Sequence, residues 1–172
     1  LKFRKDKISK LRPAFSKDGT ITAANASSLS DGSAAILLAS KSEIDKHKLK
    51  PLAKIIAHCS YADEPLYFTR SPIYAIEKVL NLSGLKLNDI DLFEINEAFS
   101  VVTLAAIKNL KIDISKVNIY GGAVSLGHPI GASGARIMCT LLNSMMSNDK
   151  KIGVSSICIG GGEALSILVE KI

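Results

Sequence analysis

Gly121-Gly122-Ala123-Val124-Ser125-Leu126-Gly127-His128-Pro129-Ile130-Gly131-Ala132-Ser133-Gly134-Ala135-Arg136 joins an apolar stretch at 117–120 to a helix-forming one at 133–146. Strand, glycine-rich turn and helix in that order read as one limb of an α/β sheet. Five of the chain's twelve glycines and one of its three histidines fall within these sixteen residues. A packed core gains nothing from so many glycines, because each raises the entropic cost of ordering the backbone. The run suits a loop where backbone comes close to a ligand and His128, set between Gly127 and Pro129, is aimed at it.

The flanking chain repeats the theme. Residues 90–95 read as a strand and 97–110 as a helix that is apolar nearly all round, hence deeply buried. Residues 152–157 and 164–169 read as strands joined through Gly160-Gly161-Gly162, an antiparallel closing hairpin. Upstream, 52–58 is extended after Pro51, and Pro72 opens a helix that runs to about Ser83 and ends at Gly84. Gly134 and Ala135 permit close packing of the 133–146 helix. The small apolar residues at 32–40 read as a buried strand, and Ser42 as the cap of a short polar helix. The expected architecture is therefore α/β, the five strands from residue 52 onward forming a mixed sheet covered by helices.

Spacing then brings the chemistry together. Asn96, His128 and Cys158 each follow a predicted strand directly, 32 and 30 residues apart (128 − 96 and 158 − 128). One βαβ unit takes roughly 30 residues. If the three strands are parallel, their carboxyl ends share one edge of the sheet, where ligands of α/β proteins bind.

Composition bounds what the chain does. At 172 residues and 47% hydrophobic it can bury a sizeable core. It contains no run near the roughly 20 apolar residues of a membrane span. Its first ten residues carry neither a starting Met nor the apolar heart of a secretory signal, so it reads as the carboxy-terminal piece of something longer. The net charge of +6 comes from scattered lysines and a denser group, Lys2, Arg4, Lys5, Lys7 and Lys10. Aromatic residues are few and not interleaved with these charges, which argues against a nucleic-acid platform and leaves a plain solvated face or attraction for a phosphorylated small molecule. Cys59, Cys139 and Cys158 are odd in number and lack CxxC spacing, against a disulfide framework or a zinc site.

Each candidate residue has a plainer alternative. A neutral His128 can take a proton from a nucleophile or donate to an oxyanion; the rival is a phosphate loop, which lacks its Lys-Ser/Thr ending here. Cys158, at a strand end before free glycine amides, can be nucleophile or base, with the Gly160 N–H serving an oxyanion; otherwise it is a buried structural thiol. Asn96 orients a water or carbonyl, or merely caps a helix; Glu97 is catalytic, or complements the positive helix end. Ser27 lies among small residues that suit close ligand approach, and Phe99 can line an apolar channel.

These residues occur in three motifs: Asn96-Glu97-Ala98-Phe99, the Gly121–Arg136 run, and Cys158-Ile159-Gly160-Gly161-Gly162. In type, order and spacing they resemble the carboxy-terminal signatures of thiolases. Leu11-Arg12-Pro13-Ala14-Phe15, the run Gly19–Ser27 and Asp31-Gly32 resemble the segment that thiolases carry just upstream. Ala23-Ala24-Asn25-Ala26-Ser27 and Ala98-Phe99-Ser100 are most similar to the short-chain, mitochondrial type. The resemblance implies the carboxy-terminal half of a thiolase-like fold: residues 1–49 would end the CoA-binding loop region and the amino-terminal domain, and 50–172 would form the carboxy-terminal domain. It implies Claisen condensation of two acetyl-CoA to acetoacetyl-CoA and the reverse thiolysis, with the coenzyme A thioester as substrate and no resident cofactor. By position His128 would activate the nucleophile and bind the thioester oxygen, and Asn96 would hold a water beside it. Cys158 would be the acid/base, Gly160 an oxyanion donor, and Ser27, Ala98 and Phe99 the lining of the pantetheine tunnel. The mitochondrial type also carries potassium, which would sit near Ala23, Ala24, Ala26 and Val124.

Two departures accompany the resemblance. The family's nucleophilic Cys lies in the amino-terminal domain, and none of Cys59, Cys139 or Cys158 stands in its motif, so the chain alone is expected to be inactive. Glu163-Ala164 follows the triple glycine where a small or uncharged residue is usual. The implied partners are acetyl-CoA, acetoacetyl-CoA and the amino-terminal domain, within a homodimer or homotetramer and with no nucleic acid or membrane. The implied compartment is intracellular, the mitochondrion ahead of the cytosol. The rivals are a non-catalytic thiolase half that binds CoA or a partner, and a ketoacyl-synthase type of condensing enzyme, which Cys158 disfavours. Without its other half the chain is expected to expose an apolar face and aggregate.

Overall fold

The structure, a computed structural model, describes residues 4–172; Lys2 of the basic group lies outside the described residues. The chain opens with a single turn, α1 (Lys5–Ile8), and an irregular run to residue 40. α2 (Lys41–His47) follows, capped by Ser40 and not by Ser42: the Ser40 hydroxyl accepts from Glu43 N at 3.3 Å.

The rest is built on one mixed sheet. β1 (Ala53–Ala62), β2 (Leu92–Ile95), β3 (Ile152–Cys158) and β4 (Glu163–Lys171) lie in the order β1-β4-β3-β2. β4 pairs antiparallel with both β1 and β3, so the closing hairpin is present, and β2 pairs parallel with β3. α3 (Ser71–Ser83) carries Pro72 in its first turn and stops at Gly84, as expected. Together with α4 (Ser100–Leu110) it covers one face, where Ile76, Val79 and Val102 pack on Phe93, Ile95, Val154 and Leu168. α6 (Ser133–Ser147) covers the other face through Met138, Leu141 and Met145 against Leu92 and Val169. Each such side chain contributes about 1.5–3 kcal/mol by leaving water. Side chains alternate along a strand, so Phe93 and Ile95 face α3 and α4, while Leu92 and Glu94 face α6.

The sheet has four strands, not five. Residues 117–120 reach β2 through a single parallel bridge, Phe93 to Val117, and go no further. The reason is Asn118, whose backbone turns left-handed (φ 48°). Its side chain then does a strand's work: Oδ1 accepts from Ile95 N at 2.8 Å, and Nδ2 donates to Ile95 O at 2.8 Å. Its own N–H donates to Phe93 O at 2.9 Å. An asparagine amide carries both a donor and an acceptor, so one side chain satisfies both edge groups of β2.

Three other expectations need correction. Residues 32–40 form no strand; Leu37 and Leu38 are exposed, because the segment runs beside the Pro129–Ala132 turn and α6, where Cys139 Sγ reaches Ala35 O at 3.8 Å. α4 begins at Ser100, since Phe99 is extended and bridges Ala26. It is not buried all round: Val102, Thr103 and Ala106 are covered, but Val101 and Leu104 face out. Gly134 has no heavy atom near its missing side chain, so it permits no close approach within the described residues.

Asn118→Ala should destabilise the fold by about 1–3 kcal/mol, the usual cost of leaving edge donors and acceptors of this kind unpaired. Urea unfolding of the two proteins under the same conditions measures it; equal midpoints would mean that the amide does not close the sheet.

Candidate active site

The three residues meet where the spacing placed them, although two strand ends and a turn bring them there rather than three strand ends. The parallel register Leu92–Gly153 to Ile95–Ser156 continues one step, with Asn96 N donating to Ser156 O at 2.9 Å. Asn96 and Cys158 therefore leave neighbouring strands at the same edge. The 121–128 turn brings His128 to that edge, with His128 Nε2 3.4 Å from Asn96 Nδ2. Asn96 is fully buried and does not cap α4; its Oδ1 accepts no hydrogen bond among the described residues.

The histidine's tautomer follows from its second partner. His128 Nδ1 lies 2.6 Å from Ser133 Oγ, and that hydroxyl donates its one proton to Pro129 O at 3.0 Å. Ser133 can then only accept, so Nδ1 carries the imidazole proton and the unprotonated Nε2 accepts the long hydrogen bond from Asn96 Nδ2. Burial, and then the positive charge of Arg136, push the His128 pKa below its ordinary 6.5. A neutral imidazole with a bare Nε2 beside a buried amide can take a proton and later return it.

The turn that delivers His128 is fastened from beneath. Glu97, weighed above as catalytic or dipole-complementing, instead accepts from Asn118 Nδ2 at 3.0 Å and from Val124 N at 3.1 Å. Gly122 makes room for it: a Cβ there would overlap the Glu97 carboxylate. Gly127, at φ 96°, turns the chain where a Cβ would strike Ser30 Oγ. His128 N then donates to Ser28 O at 3.0 Å, so the 26–30 segment is sewn along the loop.

The expected lining residues gather on that same segment. Ser27 donates to Ala98 O from both Oγ (2.8 Å) and N (3.2 Å). Phe99 stands edge-on to Phe15, ring centroids 5.5 Å apart, with Phe68 at 6.3 Å. Ser30, Asp31, Gly32, Pro129 and Ile130 line a cleft beside His128. A second hollow, lined by Tyr120, Leu126, Cys139, Thr140 and Asn143, includes none of the candidate residues.

Cys158 ends β3 almost buried, and burial pushes its thiol up to about 11, so at neutral pH it rests protonated. The loop after it is closed by main chain: Ile159 N donates to Glu163 O at 2.7 Å and Gly162 N to Ile159 O at 3.1 Å. The exposed Gly160 N–H donates to no acceptor among the described residues. Glu163, the odd residue after the glycines, keeps its main-chain place opposite Ala62, with its Oε2 buried and without a hydrogen-bond partner among the described residues.

Sequence reasoning passed over Ser133, Asn118 and Glu94. Ser133, five residues after His128, was visible as a hydroxyl in the same loop; Asn118 gave no local signal. Glu94, two residues before Asn96, is 2% exposed on the face toward α6. Burial pushes its carboxyl up to about 7, Glu97 adds to the rise, and Arg136 opposes it.

Set beside known proteins, residues 49–171 match the family model "Thiolase, C-terminal domain" and residues 2–42 match "Thiolase, N-terminal domain". A mitochondrial acetyl-CoA acetyltransferase of Rattus norvegicus is 52% identical over 96% of this chain and 39% of its own length. Among solved structures, the acetyl-CoA acetyltransferase of Bacillus anthracis superposes with a TM-score of 0.94 at 41% identity, over 97% of this chain and 42% of that one. A thiolase of Ascaris suum in complex with coenzyme A gives 0.90 at 45% identity, over 99% of this chain and 44% of that one. The chain belongs to the thiolase family and spans about two-fifths of the length of the curated relatives it matches.

Glu94 makes stability depend on pH. Its pKa rises from an ordinary 4.5 to about 7 on folding, so between those values the folded chain holds a proton that the unfolded chain releases. Its contribution is complete below about 4.5 and is lost as pH rises through about 7. Urea unfolding at pH 5 and pH 7.5 should show the wild type losing roughly 2 kcal/mol more than Glu94→Gln does over that interval. Parallel losses in the two proteins would contradict it.

Proposed function

We propose that this thiolase-family chain carries the acid–base half of an acetyl-CoA C-acetyltransferase, condensing two acetyl-CoA to acetoacetyl-CoA and running the thiolysis in reverse. The observation that carries the reading is His128, its Nδ1 proton pinned by Ser133 and its Nε2 turned to Asn96, at the edge where Cys158 ends. The acetyl specificity is supported by relatives named acetyl-CoA acetyltransferase, from yeasts, rodents and Escherichia coli, at 48–52% identity.

The steps balance on these groups. His128 Nε2 takes the proton of a nucleophilic thiol, which attacks the thioester carbonyl of acetyl-CoA; Nε2–H and an Asn96-held water then face the oxyanion. The departing CoA thiolate takes the Cys158 proton and leaves as CoA. The Cys158 thiolate so formed removes an α-proton from the second acetyl-CoA, whose enolate oxygen the Gly160 N–H meets. The carbanion attacks the acetylated thiol, acetoacetyl-CoA forms, and His128 returns its proton to the nucleophile. A Cys158 thiol that rests protonated suits this order, since its first act is as an acid. Ser27, Ala98 and Phe99 would flank the pantetheine arm, as their shared position at the 26–30 segment supports.

The same reading assigns residues 1–49 to the end of the CoA-binding loop region and the amino-terminal domain, and 50–172 to the carboxy-terminal domain. It places the nucleophile in an amino-terminal partner domain and the whole in a homodimer or homotetramer. The mitochondrial relatives of rat and mouse favour that compartment; no helix among the described residues is long and apolar enough to cross a membrane. A potassium ion near Ala23, Ala24, Ala26 and Val124 fits the chemistry there. The carbonyls of Ala23, Ala24 and Ala26 accept no hydrogen bond among the described residues, which leaves them available as oxygen ligands.

The 172-residue chain alone should transfer no acetyl group, because none of its cysteines stands in the nucleophile's motif. Joined to the amino-terminal three-fifths of the rat relative, it should form acetoacetyl-CoA, and His128→Ala in that chimera should cost about 10⁴-fold, from losing both base and oxyanion donor. Turnover by the chain alone, or a His128→Ala rate near wild type, would refute the assignment. Leu29 and Ile130 are exposed beside His128, Leu37 and Leu38 are exposed further along the same segment, and light scattering of the chain alone should show association. A monodisperse monomer would count against that.

A further inference from the structure

The turn that carries Gly160 is held by a contact that the proposed steps do not use. β1 ends against β4 at the pair Ala62–Glu163, and Asp63 adds one more rung, its N–H donating to Gly162 O at 3.0 Å. The same carbonyl accepts from Ser71 Oγ at 2.7 Å, a bond between residues 91 apart in the chain. A carbonyl oxygen has two lone pairs, so both are engaged. Ser71 is the first residue of α3 and fully buried. A serine at a helix start ordinarily bonds the backbone around it. Here its one hydroxyl proton goes to a distant loop instead.

Stiff links run from that carbonyl to the Gly160 N–H. Gly162 N donates to Ile159 O at 3.1 Å, which closes the 159–162 turn and aims the Ile159 carbonyl across it. The peptide joining Ile159 to Gly160 is planar and trans, so its N–H points opposite to that carbonyl, away from the turn. The direction of the Gly160 N–H therefore follows from where Gly162 sits. Gly162 is buried at φ 102°, and a Cβ on it would overlap Asp63 O, so the two backbones are already in contact. The corner that Gly162 meets is braced in its turn. Arg70 Nε donates to Asp63 Oδ2 at 2.6 Å, Glu64 N donates to Asp63 Oδ1 at 2.9 Å, and the Arg70 guanidinium lies 4.0 Å over the Tyr67 ring. Gly160 itself is exposed, with no heavy atom within 4 Å of where its Cβ would stand. The turn is anchored at its Gly162 end and open at its Gly160 end.

We propose that Ser71 is a positioning residue for Gly160: its buried hydroxyl, fixed on Gly162 O, holds the 159–162 turn so that the Gly160 N–H keeps one direction beyond the end of β3. This rests on the reading of Gly160 as the donor to an enolate oxygen, and goes beyond it in naming what holds that donor. Ser71 touches neither substrate nor the reacting atoms. A donor stabilises developing charge best when it need not reorient during the reaction, and three glycines in a row supply no such rigidity of their own.

Relaxation of ¹⁵N in the dilute 172-residue chain gives an order parameter for each amide, about 0.85 for rigid backbone and below about 0.6 for flexible. Gly160 should read about 0.8 in the wild type. Ser71→Ala should lower it to about 0.6 or less, while the amides of β3 and β4 keep their wild-type values. Alanine removes a single oxygen and favours a helix, so the variant should fold, which circular dichroism checks. Ser71→Thr keeps the hydroxyl and should stay within about 0.1 of wild type. An unmoved Gly160 in Ser71→Ala, loosening spread over the whole sheet, or a threonine variant as loose as the alanine one would overturn the proposal. In the chimera with the amino-terminal part of the rat relative, Ser71→Ala should slow exchange of the acetyl-CoA α-hydrogens for deuterium about tenfold, part of the roughly 10²–10³ that a lost oxyanion donor costs. Acetylation of the nucleophile, read as the burst of CoA release, should stay within about twofold of wild type, since Gly160 takes no part in that step. Equal slowing of both steps would also overturn the proposal. A chimera that exchanges no α-hydrogen in any form would refute the thiolase reaction and leave the order-parameter result to decide the role of Ser71.

Discussion

The parallel pairing of β2 with β3 is the constraint on which the rest depends. Four register pairs, Leu92 with Gly153 through Ile95 with Ser156, fix where both strands stop, and Asn96 adds one more hydrogen bond to Ser156. Because the strands run the same way, their ends share an edge, and Asn96 and Cys158 start from adjacent positions there. An antiparallel β2 would have put them at opposite ends of the sheet. The chain between β2 and β3 must return across the sheet, and it does so through α4, α5 (Ala123–Leu126) and α6, dropping His128 at the same edge on the way.

What makes the edge a chemical site is the cost accepted around His128. Ser133 gives its only proton to Pro129 O and so reserves the Nδ1 proton of the imidazole. Glu97 is committed to Asn118 and Val124 as a brace, and Gly122 forgoes a side chain to admit it. Asn96 is buried, and its Oδ1 meets no donor among the described residues. Rigid bracing and an unsatisfied acceptor are what a preorganised binding point requires.

Much of this was legible in the residues, for physical reasons that differ from place to place. The spacing of Asn96, His128 and Cys158 pointed to one edge, and they meet there, but only β2 and β3 are parallel strands; the middle βαβ strand that the spacing assumed is replaced by a turn. The Pro72 start and Gly84 stop of α3 were local backbone chemistry and came out as read. The strand expected at 117–120 failed because Asn118 replaces main-chain pairing with side-chain bonds, which no periodicity reveals. Residues 32–40 look like a core strand in composition, yet lie exposed along the Pro129 loop and pair with no strand of the sheet. Glu94 and Arg136 stayed hidden because 42 residues separate them (136 − 94), and only folding turns their charges toward each other.

The central claim is that His128 is a neutral base whose proton sits on Nδ1. Long-range proton–nitrogen correlation on ¹⁵N-histidine-labelled chain, with His128 assigned by its loss in His128→Gln, reads the tautomer directly. At pH 7.5 the account predicts a protonated Nδ1 and a bare Nε2, and Ser133→Ala should mix the two tautomers. A proton on Nε2, or a doubly protonated ring at that pH, would contradict it.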